Sequence, residues 1–338
     1  MKTTPVERIE TRLKDILSRA EAGDIEALDR LPALVEVRRL AGGRFIFVPR
    51  GAPKQLRDIP HDQIISSKPI LDVKRAAKLR RYRDKKNDST YKGPRIIAEG
   101  DSWFEYPCAK DMIDWLGERF AVLSLARAGD KWIDIKNQET QTYSDGTSSG
   151  LFRNIRDEQP NIVLLSVGGN EVLGEIETYV DHFVPHHPDR PGADYILPGF
   201  EKLLDDVEDD YRQYIGQIVP HAHVIVHSYD YPDVRSQTNG GQWIGGPLEN
   251  ERRIPFGSVW CEIAGTMLDR FCRRIELVIG EFSGRAHFVQ QLGTIGTRTY
   301  SSEPNQPLWQ DELHPTKAGS AIMFKAIAAK IDEVSLLA

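Results

Sequence analysis

The sequence predicts a doubly wound α/β domain with a small N-terminal α+β appendage, on three observations. Five short apolar runs stand at 95–98 (RIIA), 121–125 (AVLSL), 162–167 (IVLLSV), 223–228 (HVIVHS) and 286–290 (AHFVQ). Such nearly continuous apolar runs suit strands buried on both faces, as in a parallel sheet covered by helices. Segments of helical character lie between them, the alternation that builds a parallel sheet. The third observation is a polar, turn-rich break, KNDSTYKGP at 86–94, which divides two stretches of opposite charge. Residues 1 to 95 carry 23 Lys+Arg against 13 Asp+Glu, and the remainder 21 against 37. The boundary is therefore placed near residue 90, with 1–90 an accessory region and 91–338 the α/β domain.

The elements follow in order. Residues 4 to 30 read as helical, with Ile9, Leu13, Ile16 and Leu17 on one face and a stop and restart at Ala22-Gly23-Asp24, where Asp24 suits an N-cap. Val35-Glu36-Val37 and Arg44 to Pro49 read as strands, and Ala41-Gly42-Gly43 between them permits a hairpin. Lys74 to Lys86, KRAAKLRRYRDKK, holds eight basic residues in thirteen. It reads as a solvated helix and linker, or as a surface for an anionic partner such as nucleic acid or an anionic membrane. Beyond the boundary, helices are expected at Lys110 to Glu118, 148–158, 199–217 and 256–281. A final amphipathic helix is marked by Ile322, Ala326, Ile327 and Ile331.

Composition bounds the function. At 40% hydrophobic and 28% charged, 338 residues can bury a core. The N-terminal MKTTPVERIE has no apolar export segment and no run approaches a membrane span, so a soluble protein is expected. Cys108, Cys261 and Cys272 form no CxxC pair, which argues against a disulfide framework or zinc site and for reduced thiols in the cytoplasm.

A doubly wound sheet binds ligands at the carboxyl ends of its strands, so those ends are where chemistry is sought. The first run ends in Gly100-Asp101-Ser102, the second in Ala126-Arg127-Ala128-Gly129-Asp130, the third in Gly168-Gly169-Asn170-Glu171, and Asp311-Glu312-Leu313-His314-Pro315 precedes the last helix. A serine hydroxyl needs a base, and the base works best when a carboxylate fixes its tautomer. His314 and Asp311 suit these roles, since an i, i+3 separation sets both on one side of a turn. The backbone N–H groups of Ser102 and Gly129 and the side-chain amide of Asn170 suit an oxyanion hole. Singly, each block has a plainer reading: Ser102 as a turn residue, His314-Pro315 as helix entry.

Together, Gly100-Asp101-Ser102, Gly129, Gly168-Gly169-Asn170 and Asp311-Glu312-Leu313-His314 resemble the four blocks of the SGNH (GDSL-like) hydrolase superfamily, in the family's order, over residues 95 to 320. The resemblance implies a flavodoxin-like three-layer α/β/α sandwich with a central five-stranded parallel sheet in strand order 2-1-3-4-5. It also implies hydrolysis of an ester or thioester through an acyl-serine intermediate, with no metal or cofactor. Here Glu171 stands where the family commonly has Asp after Asn. The first ninety residues have no counterpart in the minimal family domain.

The remaining loops bear on substrate, a lipid, sugar or small-molecule ester. Trp103 and Tyr106, in the aromatic run after the nucleophile, together with Tyr229 and Trp243, are the pocket candidates, although the run also suits packing under the sheet. Residues 171–198 are placed to form a lid, and their His182, His186, His187 and Asp189 match no standard zinc spacing. The Gly-rich stretch around Trp243 reads as a mobile loop without a phosphate-binding pattern. His227 is the rival base but lacks a carboxylate on its own face. The alternative function is a binding protein that engages an anionic partner through Lys74 to Lys86.

Overall fold

The structure, a computed structural model, describes the chain except residues 1–4, 23, 40–44, 53–57, 60–63, 67, 141–149, 300–304, 306 and 338. Helix α1 (Pro5–Glu21) buries Leu13, Ile16 and Ala20. A 3-10 turn at Ile25–Arg30, entered at Asp24, leads into the short α2 (Leu31–Leu34). Strands β1 (Val35–Arg39) and β2 (Phe45–Pro49) pair antiparallel, Val37 opposite Phe47. The glycines expected at their turn, and Gly23, lie outside the described residues. Helix α3 (Lys68–Asn87) then crosses to the α/β domain.

From residue 95 the chain alternates: β3 (Arg95–Gly100), α4 (Met112–Arg119), β4 (Ala121–Ser124), α5 (Trp132–Gln138), α6 (Leu151–Glu158), β5 (Ile162–Ser166), α7 (Gly169–Val172), α8 (Gly199–Ile218), β6 (His223–His227), α9 (Gly245–Asn250), α10 (Ser258–Glu281), β7 (Ala286–Val289) and α11 (Lys317–Ser335). The five strands from β3 onward form one parallel sheet in the order β4-β3-β5-β6-β7, which is 2-1-3-4-5. All five residues of β5 are buried, as a central strand covered on both faces requires. Each such Ile, Leu or Val contributes about 1.5–3 kcal/mol through burial.

Helices cover the sheet in two layers. On one side α4 packs on α11, with Trp115 stacked on Phe324. On the other, α8 packs on α10, and Tyr214 of α8 meets Trp132 of α5 and Phe152 of α6. The chain is therefore a flavodoxin-like α/β/α sandwich with a small α+β appendage. Helix α11 agrees with the sequence reading at Ile327 and Ile331 and departs from it at Ile322 and Ala326. It buries Met323, Ile327, Ile331 and Val334, while Ile322 is 39% exposed and Ala326 is also exposed. Two apolar stripes one residue apart are written into this helix, and only its partners choose between them.

The basic run is not simply a solvated helix. Lys74 and Lys78 of α3 are each 4% exposed. Lys74 Nζ donates to Asp111 Oδ2 (2.8 Å) and the Ala109 carbonyl (2.8 Å), and lies 3.1 Å from Asp114 Oδ2. Lys78 Nζ donates to Asp111 Oδ2 and the Phe104 carbonyl, both at 2.7 Å. Two cations therefore face two carboxylates away from water, where each leans on the other. Burial alone would lower the Lys74 pKa, but Asp111 and Asp114 outweigh it and raise it. Arg75 grips Glu105 through two nitrogens, Arg81 donates to the Asp114 carbonyl and Lys86 pairs with Glu158. Much of the run's charge is thus spent inside the molecule. The apolar side chains of the appendage also join those of the α/β domain in one continuous core.

Candidate active site

Strand β3 fixes the serine. Asp101 N donates to Ser166 O of β5 (3.0 Å), and Gly100 O accepts from Arg127 N (2.9 Å) in the segment after β4. The chain then turns, with Phe104 N and Glu105 N both donating to Asp101 O. Ser102 is thereby presented at the carboxyl edge of the sheet, 8% exposed.

The histidine arrives from the segment before α11. Ser102 Oγ lies 2.8 Å from His314 Nε2, and His314 Nδ1 lies 2.9 Å from both oxygens of Asp311. A proton on Nδ1 satisfies this chain, so Nε2 is the acceptor for the serine hydroxyl. Asp311 Oδ1 also accepts from the Leu313 and His314 amides, each at 2.9 Å. Burial would raise the Asp311 pKa, but His314 and these donors outweigh it and hold the pKa low. The carboxylate therefore stays ionised beside the imidazole.

Tyr106, a pocket candidate from sequence, also bears on this pair. Its hydroxyl donates to Asp311 Oδ2 at 3.0 Å, and its ring stacks on His314 with centroids 4.3 Å apart. Nothing in the sequence signals that contact, since the two residues are 205 positions apart.

The other strand ends converge on the serine. Gly129 has φ +88°, a left-handed conformation for which glycine is suited, and neither its amide nor that of Ser102 has a backbone acceptor among the described residues. Asn170 Nδ2 donates to the Asp130 carbonyl (2.8 Å), which orients the amide and leaves its second hydrogen free. Glu171 Oε1 accepts from Trp132 N at the start of α5 (2.6 Å), which ties two strand-end segments together. Burial pushes Glu171 and Asp130 each up to about 7.

Ser102, His314, Gly129 and Asn170 line one cleft with Trp103, Tyr106, Tyr229 and Trp243. The aromatic run after the serine divides its work. Trp103 and Tyr106 face the cleft, Phe104 is fully buried against His227, and Glu105 binds Arg75. Gly169 is required where it stands, because a Cβ there would lie 2.5 Å from the Tyr229 ring. The Tyr229 hydroxyl in turn donates to Asp101, whose pKa burial pushes up to about 6.

The structure also places the other loop candidates. His227 does not line the cleft; its Nδ1 bonds the Ser228 carbonyl (2.8 Å) and burial lowers its pKa to about 4. The segment 171–198 contributes Leu173 to the cleft, but its later part packs on α10, with Gly192 N bonded to Glu262 (3.0 Å), rather than lying over the site as a lid. Among the described residues no group of His, Cys, Asp and Glu is arranged to hold a metal ion.

The Gly-rich stretch around Trp243 is anchored rather than mobile. Glu312, fully buried, accepts five backbone N–H groups: Arg235 (3.0 Å) and Gly245 (2.9 Å) on Oε1, and Gln242 (2.8 Å), Trp243 (2.7 Å) and Ile244 (3.0 Å) on Oε2. That ring of donors holds Trp243 edge-on to His314, 5.6 Å between centroids. Sequence reasoning passed over Glu312 because it sits inside the Asp311–His314 block with no local partner.

No protein-family model matches the chain, and no curated protein matches it significantly. Solved structures similar to it include a GDSL-like lipase from Bacteroides thetaiotaomicron, 14% identical with TM-score 0.42, covering 77% of this chain and 98% of that one. An extracellular lipase from Streptomyces rimosus is 15% identical with TM-score 0.43, covering 70% and 98%. A phospholipase A1 from Streptomyces albidoflavus is 17% identical with TM-score 0.39, covering 70% and 99%. These are likenesses only; the chain itself has a parallel sheet ordered 2-1-3-4-5 with Ser102, Gly129 and Asn170 gathered at its carboxyl edge.

Proposed function

We propose that the chain is a serine-dependent ester hydrolase acting on a carboxylic ester of a lipid, sugar or small molecule. The observation that carries this reading is the hydrogen-bonded line Ser102 Oγ, His314 Nε2, His314 Nδ1, Asp311, opening into an apolar cleft. As His314 takes the hydroxyl proton, Ser102 Oγ attacks the ester carbonyl, and the negative charge moves to the carbonyl oxygen. The Ser102 and Gly129 amides and Asn170 Nδ2 are the donors for that charge. Collapse breaks the bond to the alcohol, which leaves with the proton held on Nε2. Water then attacks the acyl-serine by the same route in reverse, and the acid departs. Asp311 keeps the imidazole in the productive tautomer and balances its charge.

The low Asp311 pKa supports this role, since the orienting group must be a carboxylate at neutral pH. In this reading residues 1–90 are an accessory region whose α3 ties down the loop after Ser102. The test is hydrolysis of p-nitrophenyl acetate by Ser102→Ala. We expect kcat to fall by on the order of 10⁴ or more; an undiminished rate would refute the assignment.

A further inference from the structure

One wall of the cleft comes from outside the α/β domain. Val37, in β1 of the N-terminal hairpin, lines the same space as Ser102 and is 8% exposed. Its position in that wall is secured: the Val37 carbonyl accepts from Gln242 Nε2 at 3.0 Å, and Gln242 belongs to the stretch that Glu312 anchors. The next residue, Trp243, meets His314 edge-on. Val37 also borders a second recess shared with Tyr106 and Asp311. Val37 thus lines the cleft together with the two rings that contact His314, Tyr106 and Trp243.

Chemistry decides which half of an ester that side receives. The departing alkoxide must take its proton from His314 Nε2, so the alcohol half lies next to the histidine. With the carbonyl oxygen assigned to Gly129 and Asn170, the acyl half is left the rest of the cleft, which Leu173 also lines. On this assignment the alcohol meets a valine, the tyrosine ring stacked on His314 and a tryptophan edge. The Tyr106 hydroxyl is already committed to Asp311. Such a wall offers an alkyl or aryl group contact area and offers a sugar's hydroxyls few partners.

Resting on the esterase reading above, we infer that the substrate is an ester of an apolar alkyl or aryl alcohol and that Val37, supplied by the N-terminal hairpin, sets the size of alcohol accepted.

The test uses the 338-residue chain and its Val37→Ala and Val37→Phe variants. kcat/KM is measured by pH-stat on ethyl, butyl and hexyl acetate, and in parallel on p-nitrophenyl acetate and hexanoate. The hexyl-to-ethyl ratio should rise about tenfold in Val37→Ala and fall about tenfold in Val37→Phe, the discrimination that an added or removed hydrophobic contact gives. The hexanoate-to-acetate ratio, which reads the acyl half, should move less than about threefold. Ratios cancel any loss of folded enzyme. An alcohol ratio that stays put, moves the same way in both variants, or moves only with the acyl ratio overturns the inference and leaves the esterase reading standing. So does wild-type preference for an acetylated sugar over hexyl acetate. Absence of any Ser102-dependent turnover on every ester would instead overturn the esterase reading, and this inference with it.

Discussion

Replacing Glu312 by glutamine keeps the side chain's shape and removes its charge and one acceptor. The carboxylate serves five N–H groups, two on Oε1 and three on Oε2, at 2.7 to 3.0 Å. A glutamine has one oxygen and one NH₂, so in either orientation at least two buried N–H groups lose their acceptor and face a donor. Each such loss costs about 1–3 kcal/mol. The full sum of about 2–6 kcal/mol is reduced because burial already disfavours the ionised Glu312, raising its pKa. A net loss of about 2–4 kcal/mol follows. Urea unfolding at pH 7, followed by circular dichroism, measures it. Because the same five bonds hold Trp243 against His314, kcat/KM for p-nitrophenyl acetate should drop by about 10- to 100-fold, as misplacement near the reacting groups does. A variant within about 0.5 kcal/mol of wild type and with unchanged kcat/KM would refute the view that this carboxylate organises the wall of the cleft.

Two further predictions concern groups away from the reacting atoms. Lys78→Met leaves the Asp111 charge and the Phe104 carbonyl short of a buried partner, and should cost about 3–5 kcal/mol in urea unfolding. Arg83→Ala, on the exposed side of the same helix, should change stability by less than about 0.5 kcal/mol; equal effects would mean that α3 is a solvated helix after all. Glu171 tests the pH dependence. Its folded pKa is raised to about 7 from 4.5, so its favourable contribution is fully present below the unfolded value and is lost as pH rises through about 7. Glu171→Gln should therefore be more stable than wild type at pH 8, with the advantage shrinking toward pH 5, as thermal melts at the two pH values would show. An advantage that is larger at pH 5 contradicts the sign.

The sequence by itself determined the sheet and the blocks at its edge. A strand buried on both faces must be apolar along its whole length, so β3, β5 and β6 announce themselves, and their ends follow directly. The Asp311–His314 spacing is local, and a local turn can be read without knowing the rest of the chain. Long helices such as α8 and α10 are legible for the same reason.

What only the tertiary structure decided rests on partners far apart in the chain. Lys74 and Lys78 carry the same charge whether they face water or Asp111, and more than thirty positions separate them from it. Glu312 finds its five donors 67 to 77 positions away. Ile322 and Met323 are both apolar, so the choice of buried stripe in α11 waits on the surface it meets. Val37 is an ordinary strand valine until the hairpin is laid beside Gln242 and the cleft. Local pattern encodes which elements form because backbone geometry and burial act residue by residue. The walls of the cleft are set by contacts across hundreds of residues, and for those the sequence carries no local signal.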